Sequence, residues 1–231
     1  TMATIWNTVA AKDIRLLRRQ MDIVYSLPKE YTFLNYLRCH DDIGWGLDYG
    51  VLKEWGMNEI PHKRFLNDYF TGKLEGSVSR GELYNDDPVS CDARFCGTTA
   101  SMCGIESAEY EKNPDKLDEA VRLDLMLHAL ILCQPGISML YSGDEVGQVN
   151  DYSYKEDPEK ASDSRYIHRG KFNWELAEKR GERGSMQEKI FHGITRLEEI
   201  RKSEKVFDST AEIYTYDVHN DSVLCIMRRT E

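Results

Sequence analysis

Three consecutive polar residues, His40, Asp41 and Asp42, close an apolar run and are the first candidates for chemistry in this sequence. An ionised carboxylate beside an imidazole can stabilise positive charge as it develops during a reaction. The same triplet in isolation would suit a solvated turn or a helix cap equally well. A second cluster, Asp163, Arg165, His168 and Arg169, lies far along the chain, and a third pair, Asp144 and Glu145, follows another apolar run. Taken alone, Arg165 could be a surface ion pair worth less than about 1 kcal/mol. Asp144 and Glu145 are read as structural, and His128, on an apolar stripe, as a satisfied core histidine. Trp45, Trp55 and Phe65 could stack on a ligand, although single aromatics more often pack.

The elements that must position these residues follow from periodicity. Over 7–26, Val9, Ile14, Leu17, Met21 and Val24 recur at steps of three to five, which predicts one amphipathic helix ended by Leu27-Pro28. The run TFLNYLRC at 32–39 is short, aromatic and aliphatic, and predicts a buried strand discharging directly into His40. A long polar stretch, 44–104, is expected to be a functional insertion with short helical pieces at best. Residues 116–133 predict an apolar helix buried on two faces, and ISMLYS at 137–142 a second buried strand ending at Asp144. After another loop-like insertion at 150–184, helical spacing returns over 187–202, and the tail offers alternating strands near 212–216 and 222–228.

Strands alternating with helices, each strand opening into a long loop, predict an α/β architecture built on a parallel barrel with its chemistry at the C-terminal ends of the strands. Two strands cannot close such a barrel. The 231 residues carry 40 acidic against 30 basic side chains, a net charge of −10, which disfavours nucleic acid and anionic membranes as partners. No segment approaches the roughly 20 apolar residues of a membrane helix. The six cysteines are scattered without a CxxC pair, as for ordinary thiols in a reducing, cytoplasmic setting. The spacing of Cys91, Cys96 and Cys103 fits no common metal pattern, so no metal and no cofactor are expected.

The motif NYLRCHDDIGW at 35–45 resembles the seventh-strand motif of amylosucrases, enzymes of the α-amylase superfamily that break sucrose and build α-1,4-glucan from its glucosyl half. The resemblance continues through KRFLNDYF at 63–70, DAR at 92–94, LYSGDEVG at 140–147 and SDSRYIHR at 162–169, and so spans nearly the whole chain. It implies the C-terminal part of a (β/α)8 TIM barrel over 1–204, containing strands 7 and 8 with their helices and long loops. The start of an antiparallel β domain follows at 205–231.

The resemblance also implies roles. Asp41 is the third catalytic carboxylate, which stabilises the oxocarbenium-like transition state, and His40 is its partner. Asp42 and Arg94 hold the leaving fructosyl group or the acceptor. Arg165 closes the bottom of the glucose pocket with an upstream aspartate. Lys63 stands where the family has an arginine lining the acceptor track, a departure that matters because the two do not bind sugars interchangeably. Phe65 is counted among the substrate-binding residues. The expected partners are sucrose, α-glucan and the missing N-terminal half of the barrel, which would supply the nucleophile and general acid. The chain alone is therefore expected to be inactive. The alternative is a non-catalytic module that binds glucan or self-associates.

Overall fold

The computed structural model describes residues 2–230. It opens with helix α1 (Met2–Ala11) and helix α2 (Arg15–Tyr25). The single helix expected over 7–26 is thus two. Lys12 adopts a left-handed backbone (φ 54°), and the Asp13 carboxylate accepts from the backbone N–H of Arg15 (2.9 Å), which restarts the helix. The predicted stripe still faces inward: Ile14, Leu17 and Met21 are buried.

Strand β1 (Leu34–Asn35) runs into strand β2 (Ile43–Gly44), and α3 (Tyr49–Glu54) and α4 (Glu59–Phe70) follow. Strands β3 (Glu82–Tyr84) and β4 (Arg94–Cys96) lead to α5 (Thr99–Cys103), α6 (Ile105–Glu111) and the long α7 (Pro114–Leu132). Strand β5 (Ile137–Ser138), α8 (Trp174–Glu178), α9 (Met186–Ser203), β6 (Glu212–Tyr216) and β7 (Cys225–Arg229) complete the order, with short 3-10 turns between β5 and α8.

β1 and β5 pair in parallel, Leu34 with Ile137 and Asn35 with Ser138, which bears out the helix-linked parallel arrangement. Gly136 makes this approach feasible. Its φ is +98°, and a Cβ there would stand 2.3 Å from the Phe33 carbonyl oxygen. Both runs form much shorter strands than expected and are not buried throughout. Leu37 and Arg38 are fully covered, whereas Leu34 (61% exposed) and Ile137 (57%) face outward. Backbone bonds join the runs from the Ile137 N–H to the Phe33 carbonyl and from the Met139 N–H to the Asn35 carbonyl, both at 2.9 Å.

The 44–104 stretch is more ordered than its polarity suggests. β2, β4 and β3 form an antiparallel sheet in that spatial order, and α4 is a twelve-residue helix rather than a short piece. Around them sits the main core, in which Phe70 packs edge-on against Trp6 (ring centroids 5.9 Å apart), stacks on Trp45 (5.4 Å) and tilts against Phe95 (5.0 Å). All four rings are buried, each contributing about 2–3 kcal/mol of hydrophobic stabilisation. Trp45 is accordingly a core residue, its indole N–H donating to Asn67 (2.9 Å). Trp55 lies half-buried under the Arg15 guanidinium, 4.8 Å from its ring centroid.

α7 begins at Asn113, whose side chain accepts from the backbone N–H groups of Asp115 and Lys116 (3.1 Å each), with Pro114 in the first turn. It packs between α9 and the α5–α6 pair, as its two apolar faces require. The β6–β7 hairpin forms as expected and docks on α2, where Thr215 donates to Asp22 (2.6 Å) and Arg18 pairs with Asp217 (3.2 Å). No described helix is long and apolar enough to cross a membrane.

Candidate active site

The His40-Asp41-Asp42 triplet lies between the end of β1 and the start of β2. Arg38, just upstream, and Arg165, His168 and Arg169, from far along the chain, converge on it. Arg38, fully buried, donates from Nη2 to the backbone carbonyl of Asp41. Arg169 donates from Nε to the carbonyl of His40 (2.6 Å), and His168 Nε2 lies 3.2 Å from the same oxygen. The backbone is therefore clamped while the side chains stay available: His40 is exposed, and the Asp41 carboxylate is 57% exposed. Asp41 Oδ1 accepts from the N–H of Asp42 (2.9 Å) and stands 3.8 Å from Arg165 Nη1.

Arg165 is itself fixed twice. Its guanidinium forks onto Asp163, with Nε to Oδ1 and Nη2 to Oδ2 both at 2.8 Å, and it lies over the Tyr84 ring at 4.5 Å from the centroid. The pairing holds the Asp163 carboxyl below the usual carboxylate range and raises the guanidinium of Arg165 further. Tyr84 arrives through the antiparallel sheet, where Gly44, Arg94 and Tyr84 share one cross-strand row. Arg94, exposed, folds over Gly44: a Cβ on that glycine would meet Nη1 at 1.8 Å. Partial burial, then the neighbouring Asp41, push the Asp42 carboxyl above its ordinary value, against the opposing cations Arg94, Arg165 and Arg38.

The end of β5 supports the same spot from the other side. The Tyr141 hydroxyl donates to the His168 carbonyl (3.0 Å), and the two rings meet edge to face at 6.4 Å. Burial and the adjacent Arg38 hold His168 down to about 3, so its imidazole is neutral at ordinary pH. The result is an exposed carboxylate on a rigid backbone, ringed by arginines, with a second carboxylate next to it. Such an arrangement can grip hydroxyl groups and stabilise a cationic transition state.

The structure thus brings together His40, Asp41, Asp42, Arg94 and Arg165. Lys63 and Phe65 stand apart. Lys63, largely buried, is engaged by Glu59 (2.8 Å) and Asp92 (3.3 Å), and Phe65 packs between His62 and Tyr69. Among the described residues no hydrogen bond or ion pair joins either of them to the triplet. Asp144 is buried beside His128, and Glu145 accepts from the Gly143 N–H (2.8 Å), in keeping with structural roles for both. Arg38, Tyr84 and Tyr141 are the residues that sequence reasoning missed. An arginine within an apolar run was the one available signal.

No family model matches the chain. It is 24% identical over 200 residues to glucosylglycerate phosphorylase from Escherichia coli strain K12, a match covering 85% of this chain and 32% of that protein. The chain therefore spans about a third of the length of this curated relative. Its fold matches that of sucrose 6F-phosphate phosphorylase from Thermoanaerobacter thermosaccharolyticum with a TM-score of 0.66, at 17% identity, over 100% of this chain and 39% of that one. These similarities establish that the chain shares its α/β fold with part of a sugar phosphorylase and is distantly related in sequence to another.

Proposed function

We propose that this chain is part of a glucoside-acting enzyme that transfers a glucosyl unit through a retaining, two-step displacement, with Asp41 as its transition-state-stabilising carboxylate. The observation that carries the reading is the meeting of Asp41 and Arg165, two residues remote in sequence, at 3.8 Å on a clamped backbone. In this reading His40 and Asp41 hold the ring hydroxyls, Asp42 and Arg94 hold the leaving group or acceptor, and Arg165 bounds the sugar pocket. The nucleophile and general acid, which must lie about 5 Å apart in a retaining enzyme, come from chain outside these residues, in the remainder of a (β/α)8 barrel.

The donor is sucrose and the acceptor α-glucan or water, as the amylosucrase-like motifs indicate. A second reading, favoured by the names of both relatives, is that inorganic phosphate accepts the glucosyl group. Incubating the intact enzyme with sucrose, with and without phosphate, separates them. Free glucose or glucan supports the first reading and glucose 1-phosphate the second. Fructose release from sucrose by neither route overturns the assignment of donor.

A further inference from the structure

Arg38 has no solvent exposure, yet the N–H groups of its Nε and Nη1 find no acceptor among the described residues. Removing a guanidinium from water and leaving it partly unpaired costs several kcal/mol. Stability alone does not account for an arginine here. Its remaining nitrogen, Nη2, donates to the Asp41 carbonyl and lies within hydrogen-bond distance of both ring nitrogens of His168, 3.0 Å from Nδ1 and 2.7 Å from Nε2. A guanidinium has no lone pair to offer, so the ring facing it must supply one and must be neutral. His168 Nε2 lies 2.7 Å from the Arg38 donor and 3.2 Å from the His40 carbonyl, so the ring bridges Arg38 to the backbone of His40. The other groups facing His168 are Asp163, Tyr141 and Arg169, the last of which donates to the His40 carbonyl.

We infer that Arg38 and the neutral His168 form one positioning unit that fixes the backbone of His40 and Asp41, setting where the Asp41 carboxylate points. Both side chains are buried and act through the backbone they meet, Arg38 at the Asp41 carbonyl and His168 at the His40 carbonyl. The inference rests on the proposed role of Asp41, and its test separates the two.

The first measurement is nitrogen-resolved NMR of the imidazoles in the chain. His168 should show a neutral ring that does not titrate between about pH 5 and 8. Replacing Arg38 by Met should return it towards the ordinary midpoint near 6.5 and shift the Asp41 and Asp42 amide signals. In the intact enzyme, His168→Leu should lower kcat at least about tenfold with KM held within about twofold. His168→Gln, which keeps one donor and one acceptor, should recover most of that loss. An ordinary midpoint in the unsubstituted chain overturns the unit, as do variants that lower Tm while leaving kcat intact. Should the variants fail to fold, the unsubstituted chain decides the question. An intact enzyme without glucosyl transfer refutes the function, while the imidazole signals still decide the clamp.

Discussion

The Arg94 guanidinium occupies the volume above Gly44 that any larger residue's Cβ would fill, 1.8 Å from Nη1. β2 pairs with β4 at this position, so the glycine lets a charged side chain cross the sheet surface towards Asp42. Gly44→Ala should therefore leave the fold in place and swing Arg94 away. In the intact enzyme we expect KM for the donor or acceptor to rise about tenfold, equivalent to about 1.4 kcal/mol, with Tm changed by only a few degrees. An unchanged KM would remove Arg94 from the binding role.

Asp41→Asn tests the reaction itself. The carboxylate is more than half exposed and meets Arg165 only as an ion pair at 3.8 Å, so its charge contributes little to folding. Its removal should cost about 10²–10³-fold in kcat, the scale for losing one preorganised stabilising group, with an unfolding free energy within about 1 kcal/mol of the parent. Asp42→Asn should act on acceptor KM instead. Turnover near normal in Asp41→Asn would refute the catalytic assignment.

What the sequence revealed and what it hid divide along physical lines. α7 and α9 were legible because their apolar residues recur at helical steps and face packed partners. The break between α1 and α2 was not, since it rests on Lys12 in a left-handed conformation and on an aspartate side chain, without glycine or proline to announce it. α4 was hidden because it buries His62, Lys63 and Asn67 beside Leu66 and Phe70, so its inward face is not apolar. At the site, His40, Asp41 and Arg165 could be singled out by motif. The Arg38–His168 contact could not, since nothing local to either residue encodes a partner so distant in the chain.

Acid should weaken the fold through His168. Its folded-state value is depressed to about 3 by burial and Arg38, whereas the unfolded chain protonates it near 6.5. Between these values the unfolded state binds the extra proton, so stability is fully present above about pH 6.5 and falls as pH drops towards 3, by up to about 1.4 kcal/mol per unit. His128 does not confound this window. Its value is raised above 6.5, so its contribution varies only at higher pH. Urea denaturation at about pH 6 and 5 should show the decline, and His168→Gln should flatten it. Equal slopes for the two chains would show that His168 is not neutral in the folded state.

His128 carries the largest predicted stability effect. Its Nδ1 stands 3.2 Å from Asp124 Oδ2 and its Nε2 3.8 Å from Asp144 Oδ2, with all three side chains at most 5% exposed. The imidazole joins the middle of α7 to the turn after β5, and the carboxylates on either side push it well above its ordinary value despite burial. Burial pushes Asp124 up as well, while His128 Nδ1 also meets the Asp124 backbone carbonyl at 2.9 Å. His128→Leu fills the space but strands the carboxylates, which should cost about 3–5 kcal/mol. The double variant His128→Leu, Asp124→Leu should recover part of this, because one of the unpaired groups is gone. Urea unfolding with an unchanged m-value measures both. A loss below about 1 kcal/mol for the single variant would mean that the carboxylates are already protonated and the cluster carries no ion pair.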